Sequence, residues 1–205
     1  MFIVTASTSL LLIAPVTVVG SIAQASGMAP PTIITIAMST FNLFIVAAVM
    51  LGGMLVDKFG VNKIYIGGLL LAIIGNMVGL TAGNSPVGLF VSRALQGLGT
   101  GPIMVSVAVL SHQWFKENEH GIVAGLQGMA VSVGIAAGFL LVPRLVEASG
   151  GNWTQSYLTL SAINALGIAL TVAVILGPKP SAAQHVGAAP DADAPPSEKF
   201  KMLQP

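Results

Sequence analysis

Arg93 is the only Asp, Glu, Lys or Arg that lies well inside a long apolar run of this 205-residue chain. An arginine in hydrocarbon costs at least about 2.5 to 3.5 kcal/mol, so it is expected to face a water-filled cavity or a partner, and by default it marks function. Its surroundings read Arg93-Ala94-Leu95-Gln96-Gly97-Leu98-Gly99-Thr100-Gly101. Gln96 follows three residues on, which places it on the same helical face. The chemistry open to this pair is electrostatic, with Arg93 as counter-charge to an anionic solute. The plainer alternative is that Arg93 snorkels to the membrane interface, about seven residues away and near the limit of its reach. Gly97 and Gly101, and likewise Gly134 and Gly138, are spaced four apart and read as helix-packing pairs.

A second constellation is the segment Gly52 to Lys63, which holds the first three charges of the chain after 56 residues with none. Gly53, Asp57, Gly60 and Lys63 stand out in it. Gly52 and Gly53 allow another backbone to come close, and Gly60 allows a positive φ in a tight reversal. Asp57 is harder to place, because a carboxylate near a helix C-terminus meets the negative end of the macrodipole. Lys58, Lys63 or the N-terminus of another helix is needed to compensate it. The plain alternative is a set of solvated loop charges.

Other chemistry is poorly represented. The first apolar run carries Thr5, Ser7, Thr8, Ser9, Thr17 and Ser21, and the second Ser39, Thr40 and Asn42, all neutral. A proton-coupled carrier ordinarily uses a membrane carboxylate with a shifted pKa. None lies in these runs, which speaks against proton-driven chemistry within them. His112 and His120 are separated in sequence and close to water, so they read as surface histidines and not as a metal site. There is no cysteine, no H-E-x-x-H and no G-x-S-x-G, so no enzyme, metal or cofactor is expected. Asn152-Trp153-Thr154 matches a glycosylation triplet too common to carry a role.

The elements that must hold these residues follow from composition. The chain is 54% hydrophobic and 7% charged, against roughly 25% charged for a soluble domain. It is an integral, multi-pass membrane protein of the plasma or an inner membrane, and its net charge of +1 offers no field for nucleic acid. A helix needs about 20 apolar residues to cross a bilayer. Six stretches qualify: Phe2 to Ala23, Ile33 to Val56, Ile64 to Ala82, Val87 to Gln113, His120 to Pro143 and Tyr157 to Leu176. The first lacks the basic leader and short apolar core of a signal peptide. If the N-terminus is inside, the inner segments carry Lys58, Lys63, Lys116, Lys179, Lys199 and Lys201 and the outer ones only Arg144. That asymmetry places both termini in the cytoplasm.

The segment Gly53, Asp57, Gly60, Lys63 resembles the G-x-x-x-D-x-x-G-x-x-K turn between helices two and three of the major facilitator superfamily. Arg93, Gln96, Gly97 and Gly99 resemble the R-x-x-Q-G-x-G motif of that family's fourth helix. The fifth run keeps Gly134 and Gly138 but lacks the proline and final glycine of the antiporter motif G-P-x-x-G-G, so antiport is not implied. Gln113 to Gly121, an aromatic pair followed by charges and a glycine, is similar to the family's loop between helices four and five.

The resemblance implies an all-α fold: residues 1–176 as the six-helix N-terminal half of a carrier, and 177–205, rich in proline and polar residues, as a disordered cytoplasmic linker. Phe200, Met202 and Leu203 among lysines suit an interfacial helix, and the last residues look like the run-up to a seventh span, as in a fragment of a longer carrier. Implied partners are the bilayer, a small solute and a second six-helix half. Arg93, Gln96 and Asn42 are the candidates for substrate binding or coupling, and Gly53, Asp57, Gly60 and Lys63 for gating. The implied function is secondary active or facilitative transport of organic anions, of the oxalate-formate or monocarboxylate kind, by alternating access. The competing class is a non-transporting accessory or interaction subunit.

Overall fold

A computed structural model of the chain describes residues 2–176; the expected linker over 177–205 lies outside them. The described residues form helices α1 (Phe2–Thr17), α2 (Val19–Ser26), α3 (Pro30–Ile34), α4 (Phe41–Phe59), α5 (Val61–Ala82), α6 (Pro86–Trp114), α7 (His120–Ala148) and α8 (Ser156–Leu176). A π-helical segment, Thr35–Thr40, joins α3 to α4, and short 3-10 turns precede α7 and α8.

Five helical runs are long and apolar enough to cross a membrane, and α1 with α2 makes a sixth that is bent by 57°. That bend corrects the expectation of one uninterrupted span from Phe2 to Ala23. Pro15 has no N–H to give to the carbonyl four residues back. Three residues on, Val18 adopts φ −126° and ψ 25°, and its N–H reaches back to Pro15 O at 3.4 Å. The second span is longer than Ile33 to Val56, running Pro30–Phe59. Pro30 and Pro31 are tolerated at its first turn, where N–H groups lack helical acceptors anyway. Gly60, at φ +86°, turns the chain from α4 into α5 as a single residue.

Helix α6 lies at the centre, between α4 and α5; α5 also carries α8, and α1 lies along α7 while touching α6 and α8. Span one on span five and span four on span two are the same pairing once spans one to three are exchanged with four to six, as an internal repeat requires. Glycine sets how close these helices come. A Cβ on Gly97 would stand 2.6 Å from Phe41 O, and one on Gly101 2.5 Å from Ala48 Cβ, both on α4. On the opposite side, a Cβ on Gly99 would stand 2.5 Å from Gly68 O of α5. Gly134 and Gly138 receive Ala6 and Ile13 of α1. Gly121, Gly125 and Gly128 do not pack in this way: nothing lies within 4 Å of where their Cβ would be. That cytoplasmic half of α7 is an open face among the described residues.

At the outer end, Trp153 Nε1 donates to Asn84 Oδ1 at 2.9 Å, and its ring meets Tyr157 edge-on at 5.6 Å. The turn after α5 is thereby clasped to the turn before α8. Leu43, Met50, Val87, Ile122 and Leu140 point outward and are exposed, an arrangement that suits lipid and not water.

Gly99→Ala is expected to lower the thermal midpoint of the detergent-purified protein, at a cost of about 1 to 3 kcal/mol, because the added methyl meets backbone that cannot turn aside. Gly67→Ala, with open space around it, should leave the midpoint unchanged. Equal midpoints for the two variants would contradict this packing.

Candidate functional site

In an unbroken helix the N–H of residue 15 would donate to Leu11 O; proline removes that donor. The carbonyl so released points at α6, where Arg93 lies two turns inside a helix whose start is fixed by Ser85, the acceptor of the Gly88 N–H at 3.0 Å. Arg93 Nη1 donates to Leu11 O at 3.0 Å and Nη2 to Leu12 O at 3.3 Å. Nη1 also donates to Gln96 Oε1, and the guanidinium lies over the Phe41 ring, 5.2 Å from its centroid.

Arg93 has no solvent-exposed surface at all. Of the two surroundings expected for it, a water-filled cavity or a partner, the structure supplies the second in the form of helix backbone. Snorkelling to the interface is excluded for the same reason.

Gln96 is the hub of a wider polar cluster. Its Nε2 donates to Asn76 Oδ1 at 2.9 Å and to Ser92 Oγ at 3.2 Å, while Ser92 Oγ donates to Gly75 O at 2.8 Å. Room for this cluster comes from α5: a Cβ on Gly75 would strike Gln96 Cγ at 2.8 Å, and one on Gly79 would strike Tyr157 and Ser92. A second link, from Ser7 Oγ to Asn164 Oδ1 at 3.2 Å, joins α1 to α8. Asn76, Ser92, Tyr157 and Asn164 are all buried and were not anticipated. The rule that picked out Arg93 would have found the two asparagines, since a lone amide in an apolar span is also costly to insert.

Asn42 does not join the cluster: it is exposed on α4, and its Nδ2 donates to Met38 O at 2.8 Å in the π-helical segment that leads into α4. In the turn, the glycine that packs is Gly52, whose Cβ would lie 3.3 Å from Val105 Cγ2 on α6; Gly53 has nothing within 4 Å. Asp57 and Lys63 are exposed and make no hydrogen bond or ion pair among the described residues, and Lys58 lies over the Phe59 ring at 5.3 Å. The compensation expected for Asp57 is therefore not found within them. His112 and His120, read as separate surface residues, meet edge-on with ring centroids 4.2 Å apart, because the turn between α6 and α7 folds back on itself. No group of three metal-ligating side chains exists among the described residues. Thr5 Oγ1 donates to Gln127 Oε1 at 2.6 Å, a half-buried polar link between α1 and α7.

Chemically, the cluster is a cation held by carbonyl and amide oxygens, with no carboxylate among its hydrogen-bond partners. It ties the bent α1 to α6 and leaves a positive field in a low-dielectric interior. If Arg93 serves the carbonyl that Pro15 releases, Arg93→Met orphans Leu11 O, and Pro15→Ala restores a donor to it. Pro15→Ala is then expected to stabilise the Arg93→Met protein by about 1 to 2 kcal/mol more than it does the parent. Thermal unfolding of the four proteins measures that coupling, and additive effects would contradict it.

Comparison with known proteins adds relatives to this geometry. The family model described as Major Facilitator Superfamily matches residues 1–204. "Probable anion transporter 3, chloroplastic" of Arabidopsis thaliana is 28% identical over 102 residues, 49% of this chain and 20% of that protein. An uncharacterized MFS-type transporter of Mycobacterium tuberculosis is 27% identical over 140 residues, 68% of this chain and 19% of its own length. A riboflavin transporter of Clostridioides difficile is 25% identical over 142 residues, 69% of this chain and 30% of its own length. The chain thus spans less than a third of the length of each of these relatives.

Proposed function

The chain belongs to the Major Facilitator Superfamily, and on that premise we propose that it is the N-terminal six-helix half of a carrier that moves small organic anions by alternating access. That it is a multi-pass membrane protein of a transporter family follows from its spans and its family; the solute class and the cycle are our reading. The observation that carries the reading is Arg93, a buried cation that no carboxylate among the described residues pairs with. In a low dielectric such a charge is felt beyond its immediate contacts, and it favours a solute that brings the missing negative charge. The anion transporter among the relatives is in keeping with this.

Arg93 reaches the solute indirectly. It is occupied by Leu11 O and Leu12 O, so the charge of a nearby carboxylate acts on it at a distance and weakens its hold on those carbonyls. Binding therefore bears on how firmly α1 is held in its bend, which converts occupancy into a movement of the helix. Thr5, Gln127 and Asn42, polar and at least partly accessible, are the side chains that would contact the solute. Carriers of this architecture work by rocking two halves about a central site. The open glycine face of α7, the free side of Gly53 and the unpaired Asp57 are the surfaces against which a second half would close. Asp57 would then find its compensating donors at a helix N-terminus of that half in one state and lose them in the other.

A thermal-shift screen of the intact protein tests the solute class. Mono- and dicarboxylates are expected to raise the midpoint, and Arg93→Met should abolish the shift. Stabilisation by riboflavin or neutral sugars alone, or anion uptake into proteoliposomes unchanged by Arg93→Met, would overturn the reading.

A further inference from the structure

The two ends of the Gln96 amide have the same shape and opposite chemistry: the oxygen accepts and the nitrogen donates twice. Whatever fixes its orientation decides whether Arg93, which carries only donors, meets an acceptor or is faced by further N–H groups. In the structure the oxygen faces Arg93. The nitrogen is held on the far side by two acceptors, Asn76 Oδ1 at 2.9 Å and Ser92 Oγ at 3.2 Å. The Ser92 proton is committed to Gly75 O at 2.8 Å, so its oxygen is left as an acceptor for Gln96.

Asn76 comes from a different helix, α5, and has no exposed surface. Its oxygen has Gln96 as partner, and its Nδ2 has none among the described residues. Only the acceptor end of Asn76 is in use. The cluster cannot relax around a wrong orientation, since α5 and α6 are in backbone contact through Gly68, Gly75 and Gly99.

We propose that Asn76 is a positioning residue: by accepting from Gln96 Nε2 it turns the Gln96 oxygen to Arg93 and so keeps the guanidinium on the carbonyl that Pro15 leaves open in α1. A directed chain of hydrogen bonds then connects α5, through α6, to the bend of α1. A buried amide that merely fills space would not need its oxygen on this side. The inference concerns the shape of α1 and stands apart from the identity of any solute, so it can fail while the transport reading holds, and the reverse.

The test turns on replacing Gln96 by a side chain with an oxygen at both ends. With Gln96→Glu, an oxygen faces Arg93 in either orientation, and Asn76 is no longer needed. Spin labels on cysteines introduced at Gln24 of α2 and Val87 of α6, both exposed, report the bend in the intact protein by electron–electron distance measurement. Asn76→Leu is expected to shift and broaden the distance distribution. Asn76→Asp, which keeps the acceptor, and the double variant Asn76→Leu/Gln96→Glu should both return it to the parental one. A parental distribution in Asn76→Leu, or a double variant no better than Asn76→Leu, would overturn the proposal. If Asn76→Leu alone does not accumulate in membranes, restored yield with a parental distribution in the double variant supports the proposal, and loss of both variants overturns it.

Discussion

A cation inside a membrane must be solvated by something, and in this bundle the solvent for Arg93 is the backbone of another helix. Helices in lipid normally have no carbonyls to spare, because each one is bonded within its own turn. Pro15 creates the exception. By deleting one N–H it leaves Leu11 O unpaired in the same place where the guanidinium arrives. Each of these residues would be a liability alone, an orphaned carbonyl on α1 and an unsolvated charge on α6. Together they meet each other's need, the guanidinium donating to the carbonyl that the proline at the bend of α1 leaves open.

The placement works only because the helices approach to backbone contact. Between apolar helices in lipid the hydrophobic effect contributes little, so association rests on close packing and on hydrogen bonds across the interface. The glycines of α6 face alternate neighbours, Gly97 and Gly101 toward α4 and Gly99 toward α5. The same closeness that packs α6 brings Gln96 within reach of Asn76 and sets Gly75 and Gly79 against Gln96, Ser92 and Tyr157. Packing and polar chemistry are one design here: any side chain at Gly75 would occupy the space of the amide that orients the arginine.

How much of this could be seen in the sequence depends on the range of the interaction. Span number and approximate limits follow from hydropathy summed over about 20 residues. The reversal at Gly60 was equally legible, because positive φ is a local demand. That Arg93 needed a partner was evident from its charge, but which atoms would serve depended on the lost N–H of Pro15, some eighty residues away. Asn76 and Asn164 were passed over because a single amide hardly dents the hydropathy of a long apolar run. The contact of His112 with His120 was invisible for another reason: its spacing belongs to neither helix nor strand, and only the fold-back between α6 and α7 produces it.

Gly52 and Gly53 carry the argument beyond the bundle. Successive residues on a helix point about 100° apart, since a turn holds 3.6 of them, so adjacent glycines serve different surfaces. Gly52 is used up against Val105, whereas Gly53 meets nothing, and the same holds for Gly121, Gly125 and Gly128 on α7. A bare glycine facing lipid has no packing reason to be there, and each one leaves a groove that another helix can fill closely. Gly53 lies one turn before Asp57, whose carboxylate has no partner among the described residues. Bare backbone and an unpaired acid are complementary demands on whatever closes that side: a close-fitting helix for the glycines, and N–H donors for the aspartate. A helix presenting its N-terminus would offer the aspartate free N–H donors, and a glycine surface lets such a helix come close.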